Sequence, residues 1–158
     1  MQQNHPFYLD ENCRNTQHIH EQIIRYIDKP GDTICEGPEG RPVEIITALD
    51  KAAARRELQK VLHRLVNEQG IRAKDIILTP ASDKRSQWKE GEELGNFMLT
   101  WDMKGEGNAI RVCTIYRFKG LESAVVVLTE LDRRNEEFSN QLVYVGLSRA
   151  RHHAIGFC

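Results

Sequence analysis

"TIYRFKGLESAVVVL", residues 114–128, is the stretch on which the fold turns. Its second half runs into four consecutive apolar residues, Val125 to Leu128, a length and composition that suit a strand covered on both faces. Its first half carries Arg117, Lys119, Gly120 and Glu122, which such a strand does not need. They read as polar groups held at the edge of a sheet, where something charged can be met.

Working outward, the chain alternates strand and helix signals. Ahead of the opening stretch, "AIRVCTIY" reads as a strand, and "DIILTP" as another closed by Pro80. Before that, Leu58, Val61, Leu62, Leu65 and Val66 fall on one face of a helix that Asp50 can cap and Gly70 ends. "VEIITAL" is a strand, and "TICEGPEGRP" a loop or hairpin. Near the start, Phe7 to Leu9 make a short strand, and Asn15 and Thr16 stand where a cap precedes Ile19, Ile23, Ile24 and Ile27 at helical spacing. Downstream, "NEEFSNQLVYVGLSRAR" is a helix and "HAIGF" a last strand. The polar stretch from about residue 81 to 107 predicts a short helix or two and a long loop. Such alternation needs crossover connections, so a mostly parallel sheet flanked by helices is expected. Ligands of such sheets meet the loops at the carboxyl ends of the strands, which makes the residues after "RVCTI" the place to look.

Composition narrows the function. The chain of 158 residues, 40% hydrophobic and 28% charged, suits one domain with a sizeable core. A formal net charge of -1 gives no global basic field, so contact with nucleic acid has to come from a local patch. Cys13, Cys35, Cys113 and Cys158 are scattered without zinc spacing and read as reduced thiols of a cytoplasmic protein. No run approaches the ~18 to 20 apolar residues of a membrane span.

Three motifs carry a family resemblance. Residues 114–128 resemble motif V of the superfamily 1 helicases of the UvrD/Rep type, with its threonine, basic stretch and Lys-Gly-Leu-Glu before an apolar strand. "LVYVGLSRAR", residues 142–151, resembles their motif VI, taken to lie on one helix, and "LDENCRNTQHI", residues 9–19, their motif IV. The three occur in the family's order. The likeness is to the second, carboxyl-terminal RecA-like domain, a three-layer α/β domain related to the P-loop NTPases, and it spans residues 1–158.

No G-x-x-x-x-G-K-[ST] is present; "EGPEGRP" and "KEGEELGN" lack the lysine and hydroxyl that would hold phosphate and magnesium. The chain is therefore expected to be part of a larger helicase and not to hydrolyse ATP unaided, with ATP and Mg2+ bound mainly by a separate amino-terminal P-loop domain. "VVVLTELD" looks like a Walker B strand, but without that partner it reads as a buried strand whose Glu130 and Asp132 face water.

The resemblance implies roles for individual residues. Arg149 matches the family's arginine finger and Arg14 a second arginine directed at the γ-phosphate; apart from the motifs both would read as surface charges on helix ends. Glu122, after Gly120, matches the glutamate that meets the nucleotide ribose. Thr114, Tyr116, Arg117 and Lys119 sit where the family contacts single-stranded DNA or RNA, Tyr116 standing where histidine is common. Tyr144 can pack near the nucleotide or in the core, and the core is favoured. Only about ninety residues separate motifs IV and V, too few for the large inserted domain of some members. Trp88 and Trp101 in that span can mark a stacking surface, with core packing favoured for Trp101. His18 and His20 point to opposite sides of a helix, and His152 and His153 read as a polar helix exit, so no metal is assigned. The alternative function is a non-catalytic RecA-like module that binds or scaffolds.

Overall fold

The computed structural model describes residues 11–26, 34–131 and 136–157. The strand expected at Phe7 to Leu9, and Ile27 and Asp132, lie outside them. Twelve elements follow in chain order. β1 (Glu11–Asn12), α1 (Gln17–Ile24), β2 (Ile34–Cys35) and β3 (Glu44–Ile46) lead to α2 (Lys51–His63), which continues as a π-helical turn, Arg64–Glu68. After them come β4 (Ile76–Pro80), β5 (Glu93–Leu94), β6 (Phe97–Thr100), β7 (Ala109–Val112), β8 (Ser123–Thr129), α3 (Glu136–Leu147) and β9 (Ala150–Phe157).

Seven strands form one sheet in the order β3-β9-β8-β4-β7-β6-β5, and every neighbouring pair is parallel except β5 with β6. β1 and β2 make a separate parallel pair rather than the hairpin that the loop around residue 35 allowed. The inner strand β8 is buried along nearly its whole length, and its alternate residues serve opposite layers. Val125 and Val127 join Leu58, Leu62 and Leu65 of the α2 layer; Val126 and Leu128 join Ile19 and Ile23 of α1 and Leu142 and Leu147 of α3. The domain thus has three layers, helices on both faces of a mostly parallel sheet, as expected. Leu58, Leu62 and Leu65 are fully buried, each worth roughly 1.5–3 kcal/mol relative to exposure.

Local chemistry explains the boundaries. Asp50 caps α2, its Oδ1 accepting from the Ala53 amide at 2.7 Å. Thr16 is the residue before α1 but makes no side-chain cap bond. α3 lies close on β8 because Gly146 has no Cβ; one built there would fall 2.2 Å from Leu128 Cδ2.

Three sequence expectations change. The stretch 81–107 contains no helix but turns and an antiparallel hairpin, β5 to β6, reversing at Gly95, whose φ is 62°. The motif VI segment does not lie on one helix: α3 ends at Leu147, Arg149 sits in the turn beyond it and Arg151 in β9. Tyr144 is exposed on α3 rather than in the core, being two residues and so about 200° around the helix from buried Leu142.

A candidate nucleotide and strand interface

The segment joining β7 to β8 carries most of the candidate residues. Both strands flank β4, so the ten residues 113–122 must run from the carboxyl edge of the sheet back to its amino edge. No helix makes this crossing. Cys113 and Ile115 amides first continue the β4 ladder, donating to Leu78 O at 3.0 Å and Pro80 O at 3.3 Å. Tight turns follow, in which Phe118 N donates to Thr114 O, Lys119 N to Tyr116 O and Leu121 N to Phe118 O. Ile115 and Phe118 bury inward among the residues of α1 and α3, and Gly120 takes φ 88°, a conformation that favours glycine.

This path divides the predicted residues into two sets. Thr114, Tyr116 and Arg117 lie at the carboxyl edge. Thr114 is buried and its Oγ1 accepts from the Arg117 amide at 3.3 Å, so the hydroxyl shapes the turn that presents its neighbours. Tyr116 is 59% exposed, and Arg117 and Lys119 are exposed with it. Cys113 beside them is no ready nucleophile: burial pushes its thiol up, although Arg117 and Arg111 pull the other way.

Glu122, next to the first residue of β8, lies at the opposite, amino edge, while Lys119 and Gly120 sit on the way between, the Lys119 amide still bonded to Tyr116 O at 3.2 Å. Of the residues singled out after "RVCTI", only the first set therefore lies at the carboxyl ends of the strands. At the amino edge Glu122 lies between two guanidiniums, with Arg14 Nε 3.6 Å from one carboxylate oxygen and Arg151 Nη1 3.6 Å from the other. All three side chains are about half exposed.

Arg149 reaches the same edge from the turn after α3. Its amide donates to Gly146 O and its carbonyl accepts from the Ser123 amide, both at 3.1 Å, which ties it to the residue after Glu122. Its Nε is buried without a hydrogen-bond partner among the described residues. Among the described residues three arginines, Arg14, Arg149 and Arg151, come to this edge with Glu122. Among the described residues no group of His, Cys, Asp or Glu is arranged to hold a metal.

Two participants were not singled out in the sequence. Arg151 was legible in principle, two residues beyond Arg149 within the motif VI stretch and near the start of β9. Asn15, read in the sequence only as a cap candidate, is instead buried and donates from Nδ2 to Ala150 O at 2.6 Å and to Leu147 O and Ser148 O at 3.4 Å.

Away from these edges, Trp88 proves buried, its Nε1 donating to Thr129 Oγ1 at 3.1 Å, so it offers no stacking surface. Trp101 is partly buried and donates to Trp88 O. Glu130 does not simply face water; it accepts from the Gln87 amide at 2.8 Å. His153 is buried against Glu44, while His152 is exposed. The described cysteines, Cys13, Cys35 and Cys113, are free. No described helix is long and apolar enough to cross a membrane.

Comparison with known proteins agrees with the sequence resemblance. Residues 109–155 match the UvrD-like helicase C-terminal domain family. Among solved structures, the chain is similar to the C-terminal domain of a possible DNA helicase from Lactobacillus plantarum WCFS1, with a TM-score of 0.66 and 16% identity over 92% of this chain and 86% of that one. The fold is that of a helicase C-terminal domain. No curated protein matches the chain.

Proposed function

We propose that the chain acts as the second RecA-like half of a superfamily 1 DNA helicase or translocase, completing the ATPase site of a separate P-loop domain. The observation that carries this reading is the meeting of Arg14, Glu122 and Arg149 at one edge of the sheet, Arg14 coming from more than a hundred residues before the other two. Hydrolysis of ATP develops charge on the transferred phosphoryl group, and an arginine contributed from a second domain is worth ~10³ to 10⁵ in rate. Arg149, with an unpartnered buried Nε, and Arg14 are the residues to neutralise that charge. Gly120 lets the backbone turn so that Glu122 can accept a hydrogen bond from the ribose. Magnesium and most of the phosphate contacts belong to the P-loop domain.

Thr114, Tyr116, Arg117 and Lys119 engage single-stranded nucleic acid, Tyr116 by stacking and the cations by phosphate contact. Because the crossing segment 113–122 is continuous between the two sets, closure on nucleotide at one edge has a direct covalent route to the strand-gripping residues at the other.

The test is ATP turnover by the full-length protein with and without single-stranded DNA, for wild type and Arg149→Ala. Stimulation by DNA, and a loss of ~10³-fold in kcat with ATP still bound, is the expected result. Unchanged hydrolysis in Arg149→Ala overturns the motor reading and leaves a binding module.

A further inference from the structure

Among the described residues Arg149 Nε has no hydrogen-bond partner, and groups that fix its main chain come from across the fold. Its amide and carbonyl are taken by Gly146 O and Ser123 N. The carbonyls around it, of Leu147, Ser148 and Ala150, all face one amide nitrogen, Asn15 Nδ2. These are the carbonyls that α3 leaves unsatisfied at its carboxyl end and the first of β9. Ser148 adds a local tie, its Oγ donating to Val145 O at 2.8 Å.

Asn15 is itself clamped from behind. Gln17 N donates to Pro38 O at 2.9 Å and His18 N to Glu39 O at 3.3 Å, while Cys35 Sγ lies 3.5 Å from Asn15 O. Gly37 packs so near that a Cβ there would fall 2.1 Å from Asn15 O. The carboxamide thus projects from a fixed backbone, and it is the residue next to Arg14.

We propose that Asn15 is a positioning residue that holds Arg149 in register with Arg14, so that the two arginines reach one ligand together. The inference rests on the proposed role of Arg149. One buried amide with two N–H groups sets the turn on which Arg149 sits, while its own backbone sets Arg14. A displacement of about 1 Å at a reacting centre costs on the order of 10²-fold in rate. A short polar link of this kind is therefore enough to control turnover without touching substrate.

The experiment measures ATP hydrolysis by the full-length protein, with thermal unfolding of every variant, for Asn15→Ala, isosteric Asn15→Asp, Arg149→Ala and the Asn15→Ala/Arg149→Ala double variant. Asn15→Asp removes the donor and sets a carboxylate against three carbonyl oxygens. Expected is a fall in kcat of ~10- to 10²-fold in both Asn15 variants with KM for ATP changed less than about twofold, and a double variant no slower than Arg149→Ala alone. Should alanine unfold the protein at the assay temperature, Asn15→Ser takes its place with the same readouts. A wild-type kcat in folded Asn15 variants, or losses that multiply in the double variant, overturns the inference while leaving Arg149's role intact. If Arg149→Ala itself hydrolyses ATP normally, the proposed function falls and this inference with it.

Discussion

The two edges of the sheet are built in opposite ways. At the amino edge Glu122 faces Arg14 and Arg151 across gaps of 3.6 Å, all half exposed, and Arg149 brings an unpartnered Nε. At the carboxyl edge the loop after β4 is fastened by short bonds, Trp88 Nε1 to Thr129 Oγ1 at 3.1 Å and the Gln87 amide to Glu130 at 2.8 Å. There Glu130 takes φ 59°, an unfavourable backbone conformation for a residue other than glycine, which the surrounding bonds must hold in place. Arg55 lies 5.6 Å over the Trp88 ring and pairs with Glu92 besides. Satisfied, buried groups stabilise a fold, whereas half-exposed charges held at long contact distances add little to it. The corner around Glu122 and Arg149 should therefore matter to turnover, and the Trp88 fastening at the carboxyl edge to stability.

The sharpest break in this comparison is the Arg149→Ala substitution, with its expected ~10³-fold loss of kcat and an unchanged melting temperature. Its counterpart at the other edge is Trp88→Ala. Trp88 is 2% exposed and takes part in both the α2-side core and the polar fastening, so its truncation costs about 3–5 kcal/mol in urea unfolding. If Trp88→Ala unfolds like wild type, the carboxyl edge is not the rigid one.

What the sequence revealed divides along the same line. The apolar run of β8, the Asp50 cap and the basic turn before β8 were legible because each is local: periodicity, a capping residue and a contiguous motif. The β5 to β6 hairpin was missed although Gly95-Asn96 between Leu94 and Phe97 is a two-residue turn signal; its flanking strands are only two and four residues long and show little alternation. Asn15 was not legible at all as a partner of residues 147–150, since a contact across 132 to 135 positions leaves no mark in local pattern. Arg149 was found but put on a helix. The helix ends two residues earlier, and tertiary bonds from Ser123 N and Asn15 Nδ2 fix the turn that follows.

A third, buried polar site tests whether rigidity is confined to the carboxyl edge. His153 on β9 lies 3.0 Å from Glu44 on β3, and Glu44 also takes Arg64 at 2.6 Å. Burial lowers the His153 imidazole's pKa more than Glu44 raises it, so the fold favours the neutral ring more than the unfolded chain does. Burial raises the Glu44 carboxyl, but Arg64 and His153 together outweigh it and hold it low. The unfolded chain then binds the extra protons in both cases. For His153 the stability is complete above its ordinary value of 6.5 and is lost as pH falls through the lowered one; for Glu44 the loss begins below 4.5. Unfolding free energy measured from pH 8 to 4 should fall on the acid side, and His153→Phe should remove the first part of that fall. A slope that survives His153→Phe assigns it to other groups.

The smallest expected effect is the most discriminating. Glu122→Gln keeps the shape of the side chain and removes the charge that two arginines share. Exposed ion pairs are worth ~0–1 kcal/mol, and with Arg14 and Arg151 both at 3.6 Å neither pair is close. Unfolding free energy should thus move by less than about 0.5 kcal/mol, the scale of an ordinary surface substitution. Loss of a charged acceptor to a bound ribose costs more, ~1.5 kcal/mol or about tenfold in KM for ATP, in the full-length protein. A fold indifferent to Glu122 with nucleotide binding that depends on it makes the amino edge a ligand surface. A fold that weakens while KM stays put would instead make Glu122 the clamp of Arg14 and Arg151, and the contrast between the edges would disappear.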